Sequence, residues 1–293
     1  MSTPTTDPAT RPDTRVDAAA ARSWLLVPAD QPDRIADAEQ SGADALILDL
    51  EDGVAAANKP QARRIARDWL DHSRHAWVRI NNADDSEKWQ DDLAALDGAQ
   101  GLLGIVLAKA SHVEVTAARL PAGTPIVAMI ESASGLDHSR AIAAADSTVR
   151  LAFGVGDYRR DTGIGGDSLA LAHPRSVLAH HSRLAGIAAP IDGPTPDTDP
   201  GRLCTAIAET MAMGHTGRLS LEPEQLPVIN SALSPTANDL AWAQSIVTEL
   251  GEDGAHIRDG SDLPKLARAK KLLYLGALLG LTTIPRTAER SRS

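Results

Sequence analysis

Eight short apolar runs, each followed by a helix-like stretch, recur about every 28 residues from Trp24 onward, and this tempo predicts an α/β chain folded as a (β/α)8 TIM barrel. Two further observations agree. Runs such as Ala45-Leu46-Ile47-Leu48-Asp49-Leu50 are nearly continuous in apolar character, as in strands covered by helices on one face and by a packed interior on the other. No Gly-x-Gly-x-x-Gly follows the first run, as a dinucleotide-binding open sheet would require.

The expected strands are Trp24–Val27, Ala45–Leu50, Ala76–Ile80, Gly104–Ala108, Ile126–Ile130, Arg150–Val155, Ala188–Ile191 and Arg218–Leu221. Helices are expected from about Pro32, Pro60, Ser86, His112, Gly135, Ser168, Gly201 and Glu224. Residues 1–21, rich in Thr, Pro, Asp and Ala without a steady period, read as a flexible tail. The barrel takes 22–235. A C-terminal helical extension over 236–293 holds helices near Asn238–Leu250 and Leu263–Leu279. A closed barrel does not need that extension, which either caps its own barrel or reaches across to another subunit.

Composition narrows the class. The 293 residues, 43% of them hydrophobic, suffice for one substantial core. Lys and Arg total 29 against 39 Asp and Glu, a net charge of -10, with no basic stripe. Aromatics make up 3% of the chain, too few for a base-stacking platform. No nucleic-acid partner is therefore expected. No apolar run is long enough to span a membrane, no secretory leader is visible, and the single Cys204 has no internal partner. The expectation is a cytoplasmic protein, with Cys204 packed in the seventh helix.

Barrel chemistry sits at the C-terminal ends of the strands, so the polar residues there are the candidates. Strand 2 runs out into Glu51-Asp52-Gly53, strand 3 into Arg79-Ile80-Asn81 and strand 4 into Lys109. Strand 5 ends at Glu131 and strand 6 at Gly156-Asp157. Glu131 and Asp157 close adjacent strands and can converge on a Mg²⁺ ion, which prefers six oxygens and keeps several waters. Glu51 and Asp52 are placed to hold those waters. Arg79 can clamp a carboxylate or developing enolate through its two-pronged guanidinium.

Lys109 either forms a Schiff base or neutralises the acidic rim. Gly154-Val155-Gly156 either gives an anion close backbone approach or, as a lone Gly-x-Gly more often does, marks a tight turn, and Gly163–Gly166 is either an active-site loop or a surface turn. His180 and His181, mid-helix and without His-Glu-x-x-His spacing, are core or surface residues.

Several segments together carry a family resemblance. They are Leu26-Val27-Pro28-Ala29-Asp30, Leu48-Asp49-Leu50-Glu51-Asp52-Gly53-Val54 with Lys59, Val78-Arg79-Ile80-Asn81, Ile130-Glu131-Ser132-Ala133-Ser134-Gly135, and Ala152-Phe153-Gly154-Val155-Gly156-Asp157-Tyr158. They resemble the citrate lyase beta-subunit group of the HpcH/HpaI aldolases, from about Arg22 to Gly280. The resemblance implies a Mg²⁺-dependent (β/α)8 lyase that makes or breaks C–C bonds in short hydroxy-dicarboxylic acids. Those acids are commonly carried as thioesters of the citryl, malyl or citramalyl type.

It places the metal ligands on Glu131 and Asp157, the carboxylate-binding arginine on Arg79 and the supporting acids on Glu51 and Asp52. It also matches Asp262-Leu263-Pro264 to an acidic residue offered to a neighbouring subunit's site, which implies a homotrimer. Asp262 is equally well placed to cap the helix it precedes. The chain departs from the family pattern at Gly156, where an acid is common, at Ala108 in place of proline, and in Leu221-Glu222-Pro223-Glu224-Gln225, where Glu222 replaces histidine. Glu222 puts an anion near the mouth and is expected to disfavour a coenzyme A ester. A thioester hydrolase on the same site and a non-catalytic acyl-binding subunit are the rival readings.

Overall fold

A computed structural model describes residues 16–281 apart from 83–87, 112, 114–116, 118 and 197–198. Eight parallel strands form a closed barrel in chain order. They are β1 (Ser23–Pro28), β2 (Ala45–Asp49), β3 (Ala76–Ile80), β4 (Leu102–Leu107), β5 (Ile126–Ile130), β6 (Thr148–Phe153), β7 (Ala188–Asp192) and β8 (Gly217–Ser220). The barrel closes where β1 pairs with β8, Trp24 opposite Leu219.

The helices follow as the alternation requires. They are α1 (Pro32–Glu39), α2 (Lys59–Asp71), α3 (Lys88–Leu96), α4 (Ala133–Ala144), α5 (Val155–Thr162), α6 (Ser168–Ala185), α7 (Pro200–Ala212) and α8 (Leu226–Ala232), then α9 (Ala237–Leu250) and α10 (Asp262–Leu278). The helix expected from His112 and the start expected at Ser86 fall mainly outside the described residues.

Successive side chains of a strand point to opposite faces, and that alternation divides the core. Trp24, Ile47, Trp77, Val106, Val127, Met129 and Leu219 fill the barrel interior. Their neighbours Leu25, Leu48, Val78, Ile105, Ala128 and Leu151 face outward under the helices. Trp24 and Trp77 meet edge to face across the interior, ring centroids 5.3 Å apart.

Several helix starts follow directly from sequence. Ser132, Asp167 and Asp199 each accept a backbone N–H from the first turn of α4, α6 and α7, and Thr236 with Asp239 forms a capping box on α9.

Of the expected tail, residues 1–15 lie outside the described residues, and Ala20 and Ala21 are buried. They are held from β6 by Arg150, whose Nη1 donates to the carbonyls of Ala18 (2.8 Å) and Ala21 (2.7 Å). Its Nε donates to Ala189 O and its Nη2 to Thr216 Oγ1. Arg150 is fully buried beside Trp24 among neutral acceptors, and that burial works against its charge.

Two expectations are corrected. Cys204 is exposed on α7 and does not pack; a lone cysteine in a helix of moderate apolarity gives no sign of its face. The sixth strand stops at Phe153 and Val155 opens α5, so Asp157 sits in the first turn of a helix. His180 is exposed, while half-buried His181 meets Ser139 Oγ through Nδ1 at 2.8 Å. Among the described residues no helix is long and apolar enough to cross a membrane.

Candidate active site

The mouth of the barrel is organised by a residue that strand-end sorting overlooked, Asp49. It pairs in register with Arg79 across β2 and β3 and is 1% exposed. Arg79 Nε donates to its Oδ1 at 2.7 Å and Nη2 to its Oδ2 at 2.6 Å. The same two oxygens accept the backbone N–H groups of Glu51 and Gly53, each at 2.9 Å. A Cβ at Gly53 would stand 2.3 Å from Oδ2, so glycine is needed for the loop to close on the carboxylate. The period-2 spacing of Asp49 and Glu51 was the available signal, since it puts both on one face.

The two-pronged grip that sequence assigns to a substrate is thus taken by Asp49. Arg79 keeps Nη1, 3.3 Å from Glu51 Oε2. Burial works against its charge, but Asp49 and Glu51 outweigh burial and hold its pKa above the ordinary arginine value.

Buried Lys59 fixes the backbone after β2, donating from Nζ to Leu50 O (2.7 Å), Glu51 O (2.8 Å) and Asn81 Oδ1 (3.2 Å). Burial lowers its pKa, an effect that Asp92 and Asp49 oppose.

Glu51 and Asp52 do not stand free to hold waters. Lys109 Nζ donates to Glu51 Oε1 and, at 3.0 Å, to Asp52 Oδ2. Burial raises the Glu51 pKa against the pull of Arg79 and Lys109, whereas at Asp52 Lys109 wins and the pKa falls. Lys109 is pushed above the ordinary lysine range because these carboxylates overcome its own burial. A permanently charged ammonium is no nucleophile, so the structure favours the neutralising role over the Schiff base. Lys109 adopts φ 46°, which turns its backbone N–H toward Glu131 Oε1 at 3.2 Å.

Glu131 and Asp157 do come together. Glu131 is 3% exposed, and its pKa is driven to about 8, first by burial and then by the hydrogen bond it shares with Asp157. The Glu131 side chain lies over Gly154, where a Cβ would approach within 2.4 Å; the missing side chain is what lets the carboxylate reach α5. Asp157 Oδ1 also receives Arg160 Nη2 at 2.7 Å. Among the described residues no group of three or more His, Cys, Asp or Glu is arranged for a metal. Two converging hard carboxylates suit an ion that completes its shell with water or substrate oxygens, as Mg²⁺ does. The residues present fit that ion. Gly156 borders open space, and a Cβ there would meet nothing within 4 Å, so no packing constraint explains why the family's acid is missing at this position.

Beside this pair a cavity of about 430 Å³ holds Arg79, Glu131 and Asp157 under apolar walls, with Arg34 and Glu222 in its lining. Arg34, at the start of α1, was not singled out by sequence. On the other side of the pair is a polar cleft of about 550 Å³ containing Lys109, Ser132 and Arg160. A wider hollow of about 610 Å³ between α3 and residues 119–125 includes none of these side chains.

Asp262 lines neither space at the mouth. It does not cap α10 as expected. Its carboxylate turns back to accept the backbone N–H of Arg258 (3.1 Å) and the Arg258 guanidinium (3.2 Å), with Lys265 Nζ at 3.3 Å. Those hydrogen bonds, led by Arg258, hold its pKa near 2.

A family model described as HpcH/HpaI aldolase/citrate lyase matches residues 22–223, and that family's C-terminal domain matches 238–280. The chain belongs to the HpcH/HpaI aldolase/citrate lyase family. A citrate lyase subunit beta-like protein of Mycobacterium tuberculosis is 33% identical over 269 residues, 87% of this chain and 95% of that protein. The structure of protein CitE from the same organism, in complex with magnesium, acetoacetate and coenzyme A, superposes with a TM-score of 0.73. It is 32% identical and covers 88% of this chain and 99% of its own. A (3S)-malyl-CoA thioesterase of Cereibacter sphaeroides is 28% identical, covering 80% of this chain and 85% of its own. The matched segments thus take in both the eight strands of the barrel and the two C-terminal helices.

Proposed function

We propose that the protein is a Mg²⁺-dependent carbon–carbon lyase. Its substrate is a short hydroxy-dicarboxylic acid or its acyl thioester, of the citryl, malyl or citramalyl type, cleaved by a retro-Claisen or retro-aldol route. The observation that carries the reading is the buried Glu131 carboxylate brought against Asp157, with Arg79 in the same cavity at the barrel mouth. The M. tuberculosis relative binds magnesium together with pyruvate and, in another complex, with oxaloacetate, products expected of such a cleavage.

Bound magnesium would supply Lewis-acid polarisation of the oxygens at the hydroxyl-bearing end. The remaining work falls to the chain. Glu131 and Asp157 hold the ion. Arg79, oriented by Asp49 and with Nη1 3.3 Å from Glu51, lines the cavity as fixed positive charge for the developing keto acid. Lys109 keeps Glu51 and Asp52 from adding free negative charge at the rim.

Incubation with magnesium and malyl, citramalyl or citryl thioesters should release glyoxylate, pyruvate or oxaloacetate with the carrier thiol still acylated. The thioesterase relative supports a second reading, in which free thiol appears instead and the hydroxy acid stays whole. Neither product with any of the esters would remove both.

The family resemblance and the C-terminal helices support a homotrimer with shared sites. α9 and α10 pack chiefly on each other, and Leu263, Tyr274 and Leu278 of α10 stay exposed. In this arrangement Asp262 of one copy reaches the mouth of another and takes the substrate's hydroxyl proton. Arg258, whose guanidinium holds that carboxylate in the single chain, is largely exposed and also pairs with Glu249 at 2.8 Å. Mixing inactive Glu131→Gln subunits with inactive Asp262→Asn subunits should then restore part of the activity. Exchange without recovery would refute the shared site.

A further inference from the structure

We propose that Arg160 is an exchangeable counter-ion at the metal site. It holds Asp157 until a divalent cation takes that carboxylate, and it then turns to a carboxylate of the acid in the polar cleft. This deepens the lyase reading and rests on it.

Position is the first observation. Asp157 and Arg160 stand three residues apart on α5, a spacing that brings side chains together on one helix face. Arg160 Nη2 lies 2.7 Å from Asp157 Oδ1. A cation of the chain itself thus sits on one oxygen of the carboxylate pair that suits Mg²⁺. The guanidinium of neighbouring Arg159 lies elsewhere, beside Gly166, where a Cβ would come within 2.7 Å of Cζ.

The second observation is how lightly this contact is held. The Arg160 side chain is 70% exposed, and an exposed pair of this kind is weak and screened by salt. A doubly charged ion can displace it at small cost. The guanidinium would then face like charge and leave. Arg79 cannot make that move, because it is buried and gripped at two points by Asp49.

The third observation is where the released group goes. Glu131 and Asp157 border both hollows at the mouth, and Arg160 belongs to the polar one. Lys109 in that cleft is spent on Glu51 and Asp52. Asp161, also in the cleft, accepts the backbone N–H of Ala133 at 2.8 Å. Once off Asp157, Arg160 has no other carboxylate paired with it among the described residues. A carboxylate of the bound acid supplies one. A group that opposes the metal and favours the acid makes each ligand tighten the other.

Calorimetry on the full-length protein tests this, with Mg²⁺ alone and then with oxaloacetate or pyruvate at saturating Mg²⁺. Arg160→Gln should bind Mg²⁺ about three- to fivefold tighter than wild type. The same variant should bind oxaloacetate about tenfold weaker. A residue that merely supports the helix would not shift the two ligands in opposite directions. Arg160→Lys, which keeps the charge, should stay near the wild-type Mg²⁺ affinity. Arg159→Gln removes an equal charge one residue away and should change that affinity by less than about twofold. Equal weakening of pyruvate would place Arg160 on the carboxylate beside the ketone. Unchanged pyruvate affinity would place it on the second carboxylate of oxaloacetate.

Unchanged or weaker Mg²⁺ binding in Arg160→Gln overturns the proposal. So does an equal gain in Arg159→Gln, and so does unchanged oxaloacetate affinity. In each case Mg²⁺ binding by the wild type would leave the lyase reading standing. A wild type that binds no Mg²⁺ would remove that reading and this inference together.

Discussion

Glu131→Gln is expected to abolish magnesium-dependent turnover, by about a thousandfold or more, while leaving the metal-free protein at least as stable as the wild type. The reason is that the Glu131 carboxylate is buried against Asp157, and its pKa is raised from 4.5 to about 8. Between those values the folded protein keeps a proton that the unfolded chain has released. Metal-free stability should therefore fall as pH rises from about 4.5 to about 8, with the full penalty present above that window. Urea midpoints in EDTA at pH 5 and pH 8.5 measure the fall, and magnesium should reverse it at the higher pH by binding the folded state. In Glu131→Gln this part of the pH dependence should disappear. Identical pH profiles for wild type and variant would contradict the assignment.

Asp49→Ala is expected to be the most destabilising single change at the mouth. It strands the Arg79 guanidinium, buried at 7% exposure, and removes the acceptor of the Glu51 and Gly53 N–H groups. Breaking a buried ion pair by removing one partner costs about 3–5 kcal/mol. Arg79→Lys keeps the charge but matches one carboxylate oxygen at a time, so it too should be markedly impaired in kcat/KM. The double variant Asp49→Ala, Arg79→Met should recover part of the lost stability and none of the activity. Urea unfolding of Asp49→Ala, Arg79→Met and the double variant forms the cycle, and a loss below about 1 kcal/mol for Asp49→Ala would show that Asp49 is not the anchor.

The strands were legible because each has its own pattern. In β2, β3 and β5 an apolar run with one polar end specifies both the strand and the face that meets the mouth. The carboxylates Glu131 and Asp157 could be paired from topology alone, since adjacent strands deliver them. The local conformation around Asp157 was harder: Phe153-Gly154-Val155 looks like continuing strand, yet Val155 opens a helix, and the Glu131 side chain that lies over Gly154 comes from another strand.

What Lys109 holds was beyond reach for another reason. Its partners Glu51 and Asp52 lie 58 and 57 residues away, and no local periodicity reports such a contact. Asp262 failed as a cap because Arg258, four residues earlier, offers its carboxylate both a backbone N–H and a guanidinium. A helix N-terminus is a weaker competitor for the same oxygens.

Arg150 has a consequence for the order in which the chain can assemble. Its guanidinium in β6 is satisfied by carbonyls 132 and 129 residues earlier in sequence, on the same side of the molecule where β1 zips to β8. Until those early residues arrive, a cation without a carboxylate partner faces an unfinished interior, and water has to serve it. Docking of residues 18–21 and closure of the cylinder are thereby expected to be one late event, entropically expensive because the loops it joins are long. Shortening the chain past Ala18 should slow refolding and loosen the floor of the barrel while the opposite rim, with its carboxylates, keeps its geometry.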